Sequence, residues 1–323
     1  MNQSIKVGFL GAGKISDLHA EAVNAVPNIE LKGLWNRTAS KGEVKAKQFG
    51  CMTYASEEEM FNDPEIDAVF ILTNVETHCD YTIRAARAGK HVLVEKPAAN
   101  SIEELEKMKD VAAQTGIRCM PVHNYIYEPG IGRMREMIKS GNLGEITQFY
   151  MMYNIYHTEE IRDRVPGVVH EILTHNAYTL LYLLGKPQLV SCMKANIGSS
   201  YVEKENVAMA IMKLENNALS HFSASFAGDD HAGDPWTCMI KVMGTRGSAR
   251  YSYRDWVINE PYGAHAQTYF AYPQSIKNTA THFVNNVLEK NQEPLSGLDD
   301  AIICQKIVEA CDKSVEEGKS VVL

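Results

Sequence analysis

A turn with two glycines near the start of the chain is suited to binding a dinucleotide. Gly11 and Gly13 follow the apolar run Ile5–Leu10 and precede a stretch with the pattern of a helix. In such a turn the first glycine allows the tight bend, and the second lets the backbone approach the pyrophosphate. The N–H groups at the start of the helix then face the negative charge. Ser16 occupies the third position of this pattern, where we expect it to weaken the packing of the helix rather than phosphate binding.

Two further polar motifs follow predicted strands. Thr73 and Asn74, with His78 shortly after them, follow one strand, and Glu95–Pro97 follows the next. Ligands of an open parallel sheet bind outside the carboxyl ends of its strands, so these motifs and the glycine turn should share one edge. Lys96 beside a nicotinamide could donate a proton to a substrate oxygen, or polarise it, as hydride moves. The alternative is a solvated lysine at a strand end.

Alternating strand and helix patterns fill the first 120 residues and would position these motifs. Short apolar strands are predicted at Lys6–Leu10, Leu31–Trp35, Ala68–Leu72, His91–Val94 and Arg118–Met120. Helices with a polar face are predicted between them, including Thr77–Ala88 and Ile102–Thr115. Nearly continuous apolar strands separated by helices are typical of a parallel sheet covered on both faces, with right-handed crossovers. The sequence therefore predicts an α/β fold with a doubly wound Rossmann domain over residues 1–123.

Beyond this domain the pattern changes to that of an α+β domain with an open, mainly antiparallel sheet. Helices are predicted at Ile131–Lys139, Val169–Leu184, Ser275–Lys290 and Leu298–Glu317. Longer alternating strands are predicted at Asn206–Leu214, Ala218–Phe226, Met239–Met243 and Ser248–Tyr253. We assign residues 124–323 to this second domain. Because an exposed sheet is a natural pairing surface, we expect it to join copies of the chain into a homodimer or homotetramer.

The composition excludes several classes of protein. The chain has 323 residues and a formal net charge of −8, which disfavours nucleic acid as a partner because such binding needs a basic face. No apolar run is long enough to span a membrane, so no membrane association is expected. The first strand begins by Ile5, which leaves no room for a signal peptide. The seven cysteines form no Cys-x-x-Cys pair, and we expect free thiols and a cytoplasmic location.

The end of the second predicted strand favours NADP over NAD. An acidic residue at this position would accept hydrogen bonds from the ribose hydroxyls of NAD. The chain has Asn36, Arg37 and Thr38 instead. Loss of the carboxylate and gain of a cation favour a 2′-phosphate. Asn36 could still bond to a ribose hydroxyl, and Arg37 could stack on adenine, so NAD stays open as the alternative.

Together these motifs resemble those of the Gfo/Idh/MocA family of oxidoreductases, related to glucose–fructose oxidoreductase and inositol dehydrogenase. The resemblance is carried by Gly11–Gly13, by Thr73-Asn74 with His78, and most specifically by Gly89–Pro97. The segment Asn124–Pro129 is similar to the one by which that family enters its second domain. The resemblance covers the whole chain and implies NAD(P)(H) as cofactor. The predicted cofactor-binding residues are Gly11, Gly13, Lys14, Ile15, Asn36, Arg37, Thr73, Asn74, His78, Glu95, Lys96 and Asn124.

The family resemblance also implies the catalytic residues Lys96, Glu171 and His175. In the family, the lysine works with an Asp-x-x-x-His pair at the start of a helix in the second domain. His175 falls on the histidine position and Glu171 on the aspartate position, and residues four apart in a helix share a face. His175 would take the proton from a substrate hydroxyl as hydride leaves. Glu171 would orient the imidazole or bind a neighbouring hydroxyl.

The approach to this helix departs from the family pattern. Glu171 replaces aspartate, Leu173 stands where glycine is usual, and Pro166 replaces part of a glycine run. A longer carboxylate and a different approach should reshape the pocket. The substrate of the best-known members therefore does not carry over to this chain.

Further residues near this helix could bind a sugar or polyol. Aromatic rings stack on pyranose faces and arginines bind hydroxyls or phosphate, which makes Tyr156 and Arg162 candidates. Trp236 and the region of His265 are others. His170 is an additional acid or base in the same stretch. The predicted substrate-binding residues are Lys96, Tyr156, Arg162, His170, Glu171 and His175.

No metal site is predicted. His170 and His175 are five apart, whereas the metalloprotease motif has two histidines four apart on one face of a helix. The alternative is a metal site in which His157, from another element, binds together with His170 and His175.

Three functions are compatible with these residues. The leading hypothesis is an NAD(P)-dependent dehydrogenase or reductase that acts on a secondary alcohol or ketone of a sugar, inositol or derivative. The second is a glycosidase that retains NAD, oxidises a sugar at C3 transiently and hydrolyses it without net redox change. The third is a nucleotide-sensing regulator, against which the presence of both Lys96 and His175 argues.

Overall fold

The computed structural model describes residues 4–228, 237–252 and 271–323. The chain forms two compact units. The first comprises Met1–Tyr127 and Pro273–Ile302, and the second comprises Glu128–Tyr272 and Ile303–Leu323. Residues 273–302 belong to the first unit, whereas the predicted division into 1–123 and 124–323 places them in the second domain.

The first unit contains a six-stranded parallel sheet in the order β3-β2-β1-β4-β5-β6. Its strands are β1 (Ile5–Leu10), β2 (Ile29–Trp35), β3 (Met52–Thr53), β4 (Ala68–Ile71), β5 (His91–Val94) and β6 (Cys119–Pro121). All four residues of β4 are buried because helices cover both faces of the sheet. The doubly wound parallel sheet predicted from the sequence is therefore confirmed. The order reverses beside β1, between β2 and β4, where ligands of such sheets bind.

Sequence signals at the ends of the helices explain where several of them begin and end. The helices before residue 128 are α1 (Lys14–Asn24), α2 (Ala39–Phe49), α3 (Glu57–Asn62), α4 (His78–Arg87) and α5 (Ile102–Thr115). Ser101 caps α5 by accepting a hydrogen bond from the Glu104 N–H, and Gly116 ends it in the left-handed conformation. The predicted bounds of α5 are confirmed. The helix predicted at Thr77–Ala88 is observed as α4, and a 3₁₀ turn, Val75–Thr77, directly precedes it.

The second unit is built on a seven-stranded sheet in the order β12-β11-β7-β10-β9-β8-β13. Its strands are β7 (Ile146–Asn154), β8 (Pro187–Ala195), β9 (Val207–Leu214), β10 (Leu219–Ser225), β11 (Thr237–Gly244), β12 (Ser248–Ser252) and β13 (Val321–Val322). Neighbouring strands are antiparallel except β7 and β10, which are parallel. The mainly antiparallel sheet is confirmed, although β7 and β8 were not among the predicted strands.

The remaining helices are α6 (Pro129–Lys139), α7 (Glu159–Asp163), α8 (Thr174–Leu184), α9 (Ala271–His282) and α10 (Leu298–Glu317). Residues alternate between buried and exposed along β9, so one face of this sheet packs against the core and the other is open. In the part of the chain that the structure describes, no helix is both long and apolar enough to cross a bilayer.

Candidate active site

A cavity of about 260 Å³ lies at the carboxyl ends of β1, β2 and β4 in the first unit. Three short segments line it, together with three residues from the helical turns that follow. The lining residues are Gly11, Ala12, Gly13, Trp35, Asn36, Arg37, Thr38, Lys41, Leu72, Thr73, Asn74, Thr77 and Tyr81. Six predicted cofactor-binding residues are among them, namely Gly11, Gly13, Asn36, Arg37, Thr73 and Asn74. Lys14 is exposed and Ile15 half-buried, both in the first turn of α1.

Glycine occupies positions 11 and 13 for two different structural reasons. Gly11 has a φ of +105°, and a Cβ there would lie 2.7 Å from the carbonyl oxygen of Leu72. A Cβ on Gly13 would meet no protein atom within 4 Å, so the backbone faces open space. An open backbone at the start of α1 is the shape that a pyrophosphate requires. The residues present therefore fit a dinucleotide.

Side-chain hydrogen bonds hold this turn in place. The Ala12 N–H donates to Asn36 Oδ1 at 3.0 Å, so Asn36 joins the turn to the end of β2. Ser16 is fully buried, and its hydroxyl donates to the Gly13 carbonyl oxygen at 2.6 Å. The serine in place of a third glycine therefore supports the turn directly, a contact that the sequence analysis missed.

The rim of the cavity beyond β2 is cationic. Arg37 and Lys41 both line it, and among its described lining residues none carries a carboxylate. Lys41 was not among the predicted residues, although it follows Arg37 by one helical turn. Trp35 and Tyr81 meet edge to face with ring centroids 6.0 Å apart. Their rings offer apolar surface at the same cavity.

His78 joins the loop after β4 to the loop after β5. Its Nδ1 lies 2.9 Å from the Pro97 carbonyl oxygen and its Nε2 lies 3.0 Å from the Thr73 carbonyl oxygen. Burial lowers the pKa of His78, although the two carbonyl groups favour the protonated ring. A neutral imidazole has one N–H and can donate to only one of the two carbonyls. In this structure His78 fixes the two loops rather than lining the cavity.

A buried carboxylate that contacts a buried imidazole lies directly before Lys96. Glu95 is 6% exposed, and its Oε2 accepts a hydrogen bond from the Lys96 backbone N–H at 3.0 Å. Its Oε1 lies 2.8 Å from Nε2 of His19, a fully buried residue of α1. His19 was not among the residues predicted from the sequence. The available signal was a polar side chain on the apolar face of α1, one turn after Ser16.

Asn124 and its neighbour are anchored to the later part of the same unit. Asn124 Nδ2 donates to Ser275 Oγ at 2.6 Å, and Asn124 is buried. His123 Nδ1 lies 2.5 Å from Ser296 Oγ, and burial lowers the pKa of His123 to about 3. Contacts with residues 273–302 therefore position the predicted cofactor residue Asn124.

In the second unit, His175 is buried at the start of α8. Its Nδ1 lies 2.6 Å from the Tyr178 hydroxyl, and the ring of Tyr153 packs against it with centroids 5.5 Å apart. Glu171 is half-buried and precedes His175 by four residues. The Tyr178 hydroxyl is thus one partner that orients the imidazole. Orienting this ring was one of the two roles predicted for Glu171, the other being to bind a neighbouring hydroxyl.

The predicted helix Val169–Leu184 is interrupted at its start. Residues Val169–Leu173 form a π turn, and the α-helix begins at Thr174. Glu205 contacts the backbone at this start: its Oε1 accepts a hydrogen bond from the Val169 N–H at 3.2 Å. A Cβ on Gly167, which has a φ of +118°, would lie 2.4 Å from the same oxygen. Single π turns occur frequently at functional sites.

His170 contacts the C-terminal helix. Its Nε2 lies 2.7 Å from Asp312 Oδ2, and Lys194 Nζ donates to Asp312 Oδ1 at 2.5 Å. Burial raises the pKa of Asp312, but hydrogen bonds from His170 and Lys194 outweigh it and lower the pKa below its ordinary value. The His170 ring, predicted to bind substrate, is thus part of an ion-pair cluster with Asp312 and Lys194.

The other predicted substrate residues lie in different environments. Tyr156 is 52% exposed, whereas Arg162 is buried and donates from Nη1 to Ser199 Oγ at 2.8 Å. Trp236 and His265 lie outside the described residues. Within residues 4–228, 237–252 and 271–323, no three His, Cys, Asp or Glu side chains are grouped as a metal site would require. The prediction that His170 and His175 cannot bind one metal ion assumed a regular α-helix across both residues. Residues Val169–Leu173 form a π turn, so that assumption does not apply here.

Comparison with known proteins agrees with this arrangement. Residues 5–123 match the family model described as oxidoreductase family, NAD-binding Rossmann fold, and residues 131–250 match the GFO/IDH/MocA C-terminal domain. The chain is 30% identical over 266 residues to the NAD(+)-dependent scyllo-inositol 2-dehydrogenase of Bacillus subtilis (strain 168), covering 77% of this chain and 74% of that one. It is 28% identical over 223 residues to the NADP(+)-dependent scyllo-inositol 2-dehydrogenase of the same organism, covering 67% and 61%.

A solved structure shows the same fold. Scyllo-inositol dehydrogenase from Lactobacillus casei, with bound NAD(H) and scyllo-inositol, superposes with a TM-score of 0.85 at 19% identity, and the match covers 99% of each chain. The family models, the Bacillus relatives and the glycine turn at the carboxyl edge of the parallel sheet agree. The chain is therefore an enzyme of the Gfo/Idh/MocA oxidoreductase family.

Proposed function

We propose that this enzyme transfers hydride between a nicotinamide and a secondary alcohol or ketone of a sugar, an inositol or a related polyol. The observation that carries the proposal is the open backbone at Gly13 beside the strained turn at Gly11, at the edge of the sheet where Lys96 also follows a strand. The inositol specificity of the Bacillus relatives supports a polyol as substrate. When bound, the nicotinamide supplies the hydride acceptor or donor.

Two side chains are proposed to move the proton. Lys96 is held at its backbone by Glu95, and we assign its ammonium to the substrate oxygen, where it donates a proton or stabilises negative charge. With Nδ1 of His175 at the Tyr178 hydroxyl, Nε2 is the nitrogen we assign to accepting the proton from the reacting hydroxyl. Glu171 is proposed to bind a neighbouring hydroxyl, since the His175 ring has its orienting partner in Tyr178.

Nicotinamide absorbance tests this proposal directly. The purified enzyme is mixed with NAD or NADP and a panel of inositols, aldoses, ketoses and glycosides. We expect stoichiometric reduction of added cofactor with at least one polyol. Release of free sugar from a glycoside without net reduction would instead establish the redox-assisted glycosidase. His170, the extra acid or base that favoured this alternative, contacts Asp312.

NADP is the proposed cofactor, since the structure adds a second cation to the one predicted. Arg37 and Lys41 both line the cavity, at the N-terminus of α2, whose first turn has no acidic residue. Backbone N–H groups at a helix N-terminus bind phosphate, and Thr38 makes no side-chain capping bond that would occupy them. The anion that fits there is the 2′-phosphate of NADP.

Replacing both cations should change cofactor choice. In Arg37→Ser/Lys41→Ser we expect the Kd for NADPH to rise about 10²-fold to 10⁴-fold, since each of the two lost charge-assisted bonds is worth about 1.5–3 kcal/mol, while the Kd for NADH changes by less than about twofold. Fluorescence titration with both cofactors measures this. Lys45→Ser is the matched control, because Lys45 lies on the same helix but pairs with Asp17. Equal loss of NADH and NADPH binding would contradict the assignment.

The open face of the second sheet is proposed to bind a second copy of the chain. Met193, Met209, Ile211 and Leu219 are 52–80% exposed on β8, β9 and β10. Met193 is paired with Met209 in the strand register, so their side chains share one face. A contiguous apolar face of this kind marks an interface.

The seven cysteines, all in the described residues and none in a disulfide, support the proposed cytoplasmic location.

A charge on this face should separate the copies. In Met209→Glu/Ile211→Glu we expect the mass measured by light scattering to fall to that of a single chain, because paired like charges are buried without partners at a symmetric interface. Val44→Glu is the control, since Val44 is an exposed apolar residue of the first unit. A wild-type enzyme that is already monomeric, or a double variant that keeps its oligomeric mass, would refute the interface.

A further inference from the structure

A buried carboxylate and a buried imidazole meet behind the backbone of Lys96. Glu95 Oε1 lies 2.8 Å from His19 Nε2, and the side chains of the two residues are 8% and 0% exposed. The second oxygen of the same carboxylate accepts the Lys96 N–H at 3.0 Å. Glu95 therefore contacts, through its two oxygens, one residue of α1 and the peptide group from which the Lys96 side chain extends.

The surroundings of His19 favour a single orientation of the ring. Phe9 and Phe70 pack edge to face against it, with ring centroids 6.4 and 5.7 Å away. Its Nδ1 is buried and has no hydrogen-bond partner among the described residues. A buried N–H donor without an acceptor is costly, so the proton belongs on Nε2, where Glu95 accepts it. The imidazole is then a neutral donor that fixes the rotation of the carboxylate.

Burying a carboxylate at this position is expensive unless it is hydrogen-bonded on both oxygens. His19 and the Lys96 N–H together provide both bonds. If His19 is removed, Oε1 is left buried without a donor, and the Glu95 side chain must turn towards another partner. Such a turn breaks the bond to the Lys96 N–H. The position of the lysine backbone is thus coupled to a side chain in the helix that starts at the glycine turn.

We propose that His19 is a positioning residue for the reaction: it holds Glu95 so that Glu95 fixes the backbone at Lys96 in the geometry for proton transfer. The inference rests on the proposed function of Lys96. It adds a residue that contacts neither the cofactor cavity nor the reacting groups. Displacements of about 1 Å at a catalytic group can cost on the order of 10²-fold in rate.

Two substitutions at one position test the coupling. In His19→Leu we expect kcat to fall about 10-fold to 100-fold, with KM for the polyol and Kd for NADPH within about threefold of wild type. The primary deuterium isotope effect on kcat should rise, because a misplaced lysine makes the hydride step rate-limiting. His19→Gln keeps an N–H donor for Glu95 and should recover kcat to within about fivefold of wild type.

Val23→Ala is the matched control, because Val23 is buried on the same helix and its aliphatic side chain cannot hydrogen-bond to Glu95. It should lose about 0.5–2 kcal/mol of stability and retain wild-type kcat and isotope effect. Equal loss of kcat in Val23→Ala and His19→Leu would reduce His19 to a structural residue and overturn the proposal. Failure of His19→Gln to recover kcat would overturn it as well.

A double-mutant cycle distinguishes failure of this inference from failure of the proposed function. In a Lys96→Met background, His19→Leu should lower kcat by less than about twofold, since residues that act through one group are not additive. If Lys96→Met is inactive but His19→Leu has wild-type kcat, the inference alone fails. If Lys96→Met retains full turnover, the proposed role of Lys96 fails and the role of His19 fails with it.

Discussion

Replacing Lys96 by Met, or His175 by Ala, is expected to lower kcat by about 10²–10⁴-fold, the range that positioned general acids and bases contribute. Neither change should raise the Kd for NADPH more than about threefold, since neither side chain lines the dinucleotide cavity. Stopped-flow absorbance gives kcat, and fluorescence titration gives Kd. Loss of turnover together with retained cofactor binding separates a role in chemistry from a role in folding.

Three comparison variants sharpen this result. Lys107→Met removes an exposed lysine of α5, and His221→Ala removes a half-buried histidine of the open sheet face, so both should keep wild-type kcat. Tyr178→Phe removes the hydroxyl at Nδ1 of His175 and should lower kcat about 2-fold to 12-fold, because the ring loses one orienting bond worth about 0.5–1.5 kcal/mol. Wild-type turnover in either Lys96→Met or His175→Ala would contradict the assigned role of that residue.

The second large effect is expected at the two glycines, which should fail in different ways. Gly11→Ala places a side chain at φ +105° and a Cβ 2.7 Å from the Leu72 carbonyl oxygen. Backbone strain and overpacking together should cost about 2–6 kcal/mol of unfolding free energy. Gly13→Ala meets no protein atom within 4 Å and should change stability by less than about 1 kcal/mol. Its expected defect is a Kd for NADPH raised about tenfold or more, since the methyl group would occupy the space of the pyrophosphate.

Urea denaturation and cofactor titration of both variants measure these effects. Gly116→Ala serves as the control for strain alone, because Gly116 has a φ of +72° and a Cβ there would meet nothing within 4 Å. It should cost about 1–2 kcal/mol and leave cofactor binding intact. A Gly13→Ala enzyme that binds NADPH as tightly as wild type would contradict the placement of the pyrophosphate at α1.

Helices and strands whose bounds depend on residues within or next to them were predicted correctly from the sequence. The bounds of β5, α5 and α10 match their predicted ranges because each contains its own apolar pattern, and Ser101 and Gly116 also cap α5. The glycine turn and the residues at the end of β2 were likewise found from their own sequence. These are the parts of the cofactor cavity that follow directly from one strand and the turn after it.

Contacts between distant segments account for what the sequence did not reveal. Glu205 bonds to the Val169 N–H at the π turn from 36 residues away, and no pattern within the helix indicates this contact. His19 and Glu95 are 76 residues apart and meet only because α1 packs beside the end of β5. Parallel pairing of β7 with β10 also depends on order in the sheet rather than on residues within either strand. Side chains that support a site are therefore harder to predict than those that line it.

Transfer of deuterium from a labelled polyol tests the central claim most directly. The enzyme is given oxidised cofactor and an inositol or sugar that carries deuterium on the carbinol carbon, and the nicotinamide is analysed by mass spectrometry and NMR. We expect one deuterium on the nicotinamide ring for each ketone formed, and formation of the labelled nicotinamide about 10²–10⁴-fold more slowly in Lys96→Met. Product formation with no deuterium on the cofactor would contradict hydride transfer and the function proposed for this enzyme.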